Sequence, residues 1–186
     1  CVRLEPKVAS YRYNLGYSLS QLHRYPEAET ALRVAVDLAP KYADAHSLLG
    51  EALSEQGKHI EAIAACTKAV EINPIWWFQR SLAHVYTAAK QPNKALPLLE
   101  EIVRFHADDV WANIYLSDTY LQKEDFKNAI KYMREIVRIM PKDGEAHLKL
   151  GNRLREAGDK EGARAAWKTA NELDEKGDSG AEARKM

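Results

Sequence analysis

The strongest constraint on this chain is a pattern that returns at intervals of 34 residues, with one residue missing after Pro74. A leucine-glycine pair occurs at Leu15-Gly16, Leu49-Gly50 and Leu150-Gly151. Small residues and prolines follow each pair at matching spacings: Ala28, Ala35 and Pro40, then Ala62, Ala69 and Pro74, and finally Ala163 and Ala170. A period of this length is typical of repeat arrays, which present extended binding surfaces rather than reaction centres.

The period divides the chain into five repeats, at residues 9–42, 43–75, 76–109, 110–143 and 144–176. Residues 1–8 are interpreted as the end of a truncated preceding repeat, because Pro6 lies 34 residues before Pro40. Residues 177–186 are polar and contain glycine, so we expect a disordered tail.

Each repeat is expected to form two antiparallel helices. In the second repeat, apolar residues recur at helical spacing until Gly57, which is suited to a left-handed turn, and a second apolar run ends at Asn73-Pro74. Ser54 and Lys58 are predicted to be exposed. Small side chains are expected where the two helices cross, at Gly16, Gly50, Ala83, Ser117 and Gly151 in the first helices and at Ala28, Ala62, Ala95, Ala129 and Ala163 in the second. The fold class is therefore all-α.

The pattern resembles the tetratricopeptide repeat over residues 9–175. The fourth repeat carries the resemblance with Leu116-Ser117, Tyr120, Phe126, Ala129, Ile136 and Pro141. The resemblance implies a right-handed α-α superhelix. The chain departs from the family pattern where His23, Lys90 and Glu124 replace the turn glycine, and where Ala107 and Glu175 replace the terminal proline.

Composition excludes several partners. The 27 Lys and Arg residues balance 27 Asp and Glu residues, which argues against nucleic-acid binding. No apolar run approaches the roughly 20 residues of a membrane span, so direct membrane insertion is not expected. We expect a cytoplasmic protein in which Cys1 occupies a helix position of the truncated repeat. The alternative is a bacterial periplasmic lipoprotein in which Cys1 is the lipidated first residue.

Motifs for chemistry are missing from the sequence. There is no phosphate-binding loop, nucleophile elbow, HExxH helix or pair of CxxC motifs. The six histidines do not pair at helical spacing, which argues against a metal site. We therefore predict no catalytic residue, no cofactor and no metal, and we predict that the chain is not an enzyme.

The resemblance implies that the first helix of each repeat lines a concave, peptide-binding groove. The candidate groove residues are Tyr13, Asn14, Tyr17, Glu51, Trp77, Arg80, His84, Trp111, Ile114, Tyr115, Asp118, Lys149, Asn152 and Arg155. Trp77 and Trp111 occupy the same place in successive repeats, so we expect them to be neighbours and to act as binding hot spots. The alternative is that both tryptophans fill the packing seam between repeats, near Pro74 and His106.

The sequence thus predicts a non-catalytic scaffold or adaptor that binds a peptide or helix of another protein in this groove. Two alternatives remain open. The array could be the targeting arm of a larger enzyme, or a scaffold that self-associates through the open ends of the solenoid.

Overall fold

A computed structural model describes the backbone of residues 5–173 and the side chains from Val8 onward. This part of the chain forms ten α-helices and no strand, which confirms the all-α prediction. The helices are α1 (Glu5–Gln21), α2 (Tyr25–Leu38), α3 (Ala43–Glu55), α4 (His59–Ile72), α5 (Trp76–Ala88), α6 (Pro92–Phe105), α7 (Val110–Gln122), α8 (Phe126–Ile139), α9 (Gly144–Glu156) and α10 (Lys160–Leu173). No helix in this part combines the length and the apolar character that a membrane crossing requires.

Packing divides the chain into two compact units, Cys1–Leu98 and Leu99–Met186. In the first unit, α1 packs on α2, α3 on α4, and α3 also packs on α5. Its core is formed by the apolar faces of these helices and includes Leu32, Leu53, Cys66 and Val85, all buried. In the second unit, α7 packs on α8 and α9 on α10, around a core that includes Met133 and Ile136.

The predicted close approach of paired helices is present where glycine occupies the first helix. A Cβ atom added to Gly50 would collide with Cys66 and would lie 2.9 Å from the Ala62 carbonyl oxygen. Cβ atoms at Gly16 and Gly151 would collide with Leu32 and Trp167 in the same way. The glycines are therefore required by the distance between helices, because any larger residue would overpack the crossing.

The turns inside the repeats adopt the left-handed conformation that the sequence predicts. Gly57 has a φ of +74° and Gly158 a φ of +85°. The residues that replace glycine, His23, Lys90 and Glu124, adopt φ values of 56°, 57° and 58°. These three turns keep their geometry although a side chain makes the left-handed region less favourable.

A polar network anchors the second helices of the first unit. Glu29 is buried and accepts hydrogen bonds from Lys58 Nζ at 2.7 Å, Arg33 Nε at 2.9 Å and Gln56 Nε2 at 2.9 Å. Burial alone would raise the pKa of Glu29, but these hydrogen bonds prevail and lower the pKa to about 2. Arg33 extends the network to Glu61 of α4 at 2.5 Å.

Helix α1 begins at Glu5, so residues 5–8 form its first turn; proline is tolerated in a first turn because the amide there has no helical acceptor. The assignment of residues 1–8 to a truncated preceding repeat stays a prediction. Ser54 is buried, so its predicted exposure is wrong: it lies on the side of α3 that packs within the unit. The predictions for residues 1–4 and 174–186 lie outside the described residues.

Candidate functional site

The predicted groove residues of the first unit lie on its first helices. Tyr13, Asn14 and Tyr17 are on α1, Glu51 is on α3, and Trp77, Arg80 and His84 are on α5. Because α1 and α5 both pack on α3, the unit brings these seven residues onto three adjacent helices.

Several of these side chains are engaged inside the unit. The Tyr13 ring lies 5.1 Å from the Tyr42 ring, and burial, followed by the nearby Asp44 carboxylate, raises the pKa of Tyr13. Glu51 Oε1 accepts a hydrogen bond from Ser81 Oγ at 2.5 Å. The Arg80 guanidinium lies 5.4 Å from the Trp76 ring centroid. These contacts fix the side chains and reduce the number of polar groups that face solvent.

The other predicted residues of the first unit are more open. Asn14, Tyr17 and Trp77 are exposed, and His84 is half-buried. Trp77 forms an edge contact with the Phe78 ring at 5.9 Å. Trp77 belongs to the first unit and Trp111 to the second, so their proximity stays a prediction.

The second unit contains a cavity of about 410 Å³ between α7, α8 and α9. It includes three of the predicted residues, Trp111, Ile114 and Lys149. The remaining lining residues are Val110, Met133, Ile136, Met140, Asp143, Glu145 and Ala146. The volume lies within the range of about 300–1,000 Å³ that is typical of ligand pockets.

A small side chain borders this space, at a helix position where α3 and α7 carry alanine too. The third residue of α9 is Ala146, whereas the third residue of α5 is Phe78. Phe78 is buried against Ala43 of α3 and Ala69 of α4, the first and the eleventh residues of their helices. The residues at the same places in α7 and α8 line the cavity. The phenyl ring therefore fills in the first unit the kind of space that the alanine methyl leaves empty in the second.

The cavity has an apolar floor and a polar rim. Met133 and Ile136 are buried at its base, and the Trp111 side chain remains 57% exposed at its edge. On the rim, Lys149 Nζ pairs with Glu145 Oε1 at 2.8 Å. Asp143 caps α9 by accepting a hydrogen bond from the Glu145 amide at 2.9 Å. Such a surface is suited to an apolar side chain that enters from a segment with polar flanks.

Three predicted residues of the second unit point to other partners. The Asn152 side chain accepts a hydrogen bond from Trp167 Nε1 at 3.2 Å, and the Arg155 guanidinium lies 5.7 Å from the Trp167 ring centroid. Asp118 pairs with Arg153 at 2.5 Å. None of the three lines the cavity. The remaining predicted residue, Tyr115, lies beside Trp111 with a ring separation of 6.2 Å.

Sequence reasoning missed the contribution of α8 and its C-cap, which consists of Met133 and Ile136 on the helix and Met140 at the cap. Apolar residues at helical spacing predict core packing, and periodicity carries no information about a cavity. Ala146 gave no signal either, because alanine also occupies this position in α3 and α7.

The described residues offer no site for a metal ion, since no group of three or more His, Cys, Asp or Glu side chains converges within residues 8–173. The absence of a catalytic activity stays a prediction.

Comparison with known families supports the repeat assignment. Tetratricopeptide repeat models match residues 6–74 and residues 113–143. The chain belongs to the tetratricopeptide repeat family. The first match includes the close crossings at Gly16 and Gly50, and the second covers Ile114, Met133 and Ile136 of the cavity.

Solved tetratricopeptide repeat structures share the fold at low sequence identity. TTC0263, a thermophilic protein of Thermus thermophilus, is 18% identical, with a TM-score of 0.81, over 95% of this chain and 97% of that one. MamA of Desulfovibrio magneticus RS-1 is 22% identical, with a TM-score of 0.75, over 91% and 97%. YrrB, described as a TPR protein with an unusual peptide-binding site, is 19% identical, with a TM-score of 0.66, over 94% and 91%. No curated protein sequence matches the chain.

Proposed function

We propose that this tetratricopeptide repeat protein is a non-catalytic interaction scaffold, and that it captures an apolar side chain of a partner peptide in the cavity between α7, α8 and α9. The observation that carries the proposal is the cavity itself, which places an exposed Trp111 beside a buried apolar floor. The family membership and the peptide-binding site ascribed to YrrB support the same class of function.

The physical basis is burial of apolar surface at a rigid site. Full burial of a leucine, methionine or phenylalanine side chain contributes about 1.5–3 kcal/mol. Large aromatic residues such as Trp111 often dominate binding because they bury much area with few rotatable bonds. On the rim, the Glu145 carboxylate and the Lys149 ammonium group can form hydrogen bonds or ion pairs with the backbone and the flanking residues of the peptide. The expected ligand is thus a short segment with one apolar anchor and polar neighbours.

Selection from a displayed random-peptide library tests the proposal. The full chain is the bait, and an Ala146→Phe variant is the counter-bait, because a phenylalanine at this helix position is accommodated in α5. We expect peptides with an apolar anchor to be enriched on the natural chain and to lose at least tenfold in affinity for Ala146→Phe. Trp111→Ala should weaken the same peptides by about 2 kcal/mol or more.

Phe105→Ala is the matched control, since Phe105 is an aromatic residue that is 69% exposed on α6 and does not line the cavity. Its affinity for the selected peptides should stay within twofold, and circular dichroism should show equal helicity for all three variants. Equal enrichment of peptides on the natural chain and on Ala146→Phe would refute the cavity as the binding site.

Self-association is a second candidate, and one observation favours it. Helix α1 exposes the apolar side chains of Val8, Tyr11 and Leu15 on one face, and the exposed Leu22 follows directly after its last residue. A face of this kind is suited to a second copy of the same face. Sedimentation velocity over a range of concentrations should show a dimer that Tyr11→Ser and Leu22→Ser abolish. A concentration-independent monomer would exclude this candidate.

A further inference from the structure

A row of cations lies on the outer side of α8, on the face opposite its buried residues. The row, called here the α8 strip, consists of Lys127, Lys131, Arg134 and Arg138, which are all exposed. Their spacing of four, three and four residues places them on one face of the helix. The opposite face carries Met133 and Ile136, which form the cavity floor, so the strip is separate from the proposed peptide site.

The same four positions of the other second helices show that this charge is unusual. These are the second, sixth, ninth and thirteenth residues of each helix: Pro26, Thr30, Arg33 and Asp37 in α2; Ile60, Ala64, Thr67 and Glu71 in α4; Asn93, Pro97, Glu100 and Arg104 in α6; and Glu161, Ala165, Lys168 and Glu172 in α10. Opposite charges cancel in α2 and α6, and one negative charge remains in α4 and in α10. In α8 all four of these positions carry cations, which is true of none of the other four helices.

The four cations of the strip repel one another and so destabilise the helix, and few ion pairs within the protein offset this repulsion. Like charges three or four residues apart destabilise a helix. Within residues 8–173, neither Lys127 nor Arg134 forms an ion pair, and Lys131 lies 4.9 Å from the ring centroid of its neighbour Tyr132. Arg138 alone is paired, with Glu135 at 2.7 Å and Asp108 at 2.8 Å. A ligand with matching negative charges would remove the repulsion.

The borders of the strip favour a narrow ligand. Tyr132 stacks on Tyr120, whose hydroxyl donates a hydrogen bond to Glu100, so a carboxylate lies close to the side of α8. Asp108 lies at the other end of the strip through its pair with Arg138. A membrane surface or a nucleic-acid duplex would have to cover these carboxylates, whereas a single acidic helix would contact the cations between them.

We propose that the α8 strip is a second binding surface, which docks an acidic helical segment of a partner protein with carboxylates at positions i, i+4, i+7 and i+11. The partner's carboxylates pair with the four cations along about 16 Å of α8, the rise of eleven helical residues. Charge complementarity over this length sets the orientation and speeds association more than it raises affinity. The surface adds to the peptide cavity and does not depend on it.

The test uses the full chain and a fluorescent alanine-based peptide of about 16 residues, long enough for four helical turns, with glutamates at the four stated positions. We expect binding that weakens as sodium chloride rises, and no binding of the same peptide with glutamines. A variant with Lys127→Gln, Lys131→Gln and Arg134→Gln should bind the acidic peptide about tenfold more weakly, as expected for three exposed ion pairs. Arg138 is kept because it stabilises the unit through its own pairs.

The matched control changes three exposed cations of α10 to glutamine, Lys160, Arg164 and Lys168, and so alters net charge equally. Its affinity should stay within twofold of the natural chain. The α8 variant should also melt no lower than the natural chain, because it loses repulsion and glutamine suits a helix as well as lysine. Equal peptide affinity of the two triple variants would overturn the proposal. So would tighter binding of phosphatidylserine vesicles or duplex DNA than of the acidic peptide.

Discussion

Replacing Gly50 by alanine should destabilise the first unit, although alanine is the better helix former. In an open helix this change would stabilise the protein by about 0.8–1 kcal/mol. Here the new methyl group would collide with Cys66 and would lie 2.9 Å from the Ala62 carbonyl oxygen and 3.1 Å from the Cys66 amide nitrogen. Overpacking of this kind costs about 1–3 kcal/mol. Because two of the three neighbours are backbone atoms, which cannot rotate away, we expect the upper half of that range.

The net loss is therefore about 1–2 kcal/mol, which corresponds to a decrease of about 2–8 °C in Tm for a chain of this size. Urea unfolding followed by circular dichroism at the helical minimum would measure it, with an unchanged slope indicating that the unfolded state is the same. A double variant with Cys66→Ala separates the causes. Because the collision with the sulfur is then gone, part of the stability lost by Gly50→Ala should return, which the double-mutant cycle records as a favourable coupling energy. The part of the loss that comes from the backbone contacts should remain.

If the Gly50→Ala protein is more stable than the natural chain, the gain in helix propensity outweighs overpacking at this position. The two helices then do not approach each other as closely as described. The absence of coupling with Cys66→Ala would place the loss on the Ala62 carbonyl contact alone.

Three further predictions follow from the turns, the buried network and the buried thiol. Gly57→Ala should lower stability by about 1 kcal/mol through backbone strain alone, since the new Cβ would meet no atom within 4 Å. Lys90→Gly should leave stability unchanged or raise it, because glycine adopts the left-handed conformation without strain. Thermal melts of both variants test these expectations. The stabilisation from Glu29, whose pKa falls from 4.5 to about 2 on folding, should be complete above pH 4.5 and disappear as the pH approaches 2. Glu29→Gln should be less stable at pH 7 by about 2 kcal/mol, with a weaker acid dependence in urea titrations at several pH values; an identical acid dependence in both proteins would exclude Glu29 as the titrating group. Cys66 is fully buried and burial raises the pKa of its thiol, so in a Cys1→Ser protein it should react with iodoacetamide only at the rate of unfolding; rapid labelling of the folded chain would contradict this burial.

The local elements of the fold could be predicted from the sequence because each has a local cause. Gly57 marks a left-handed turn, Asn73-Pro74 ends a helix, and Gly50 with Ala62 marks a close crossing. The start of α1 was less accessible, since Pro6 suits both the first turn of a helix and the region after one.

The candidate site could be predicted only in part. The register of the repeats assigned Trp111, Ile114 and Lys149 to the groove, and the structure shows that these three residues line the cavity. Asn152 and Arg155 satisfied the same rule, yet both contact Trp167 of the adjacent helix, because long polar side chains turn toward whatever partner lies within reach.

The sequence by itself determined the period, the helix pairs, the turns and the crossings, because these depend on interactions within one repeat. Tertiary structure alone decided where empty space remains, since a cavity depends on the summed volumes of side chains from three helices. Ala146 and Phe78 occupy the same position of their helices, and only packing shows that the alanine leaves a cavity open where the phenylalanine fills the core. Tertiary structure likewise decided that Lys127 and Arg134 face solvent and that neither forms an ion pair among residues 8–173, because pairing depends on the positions that the side chains adopt as well as on spacing along α8.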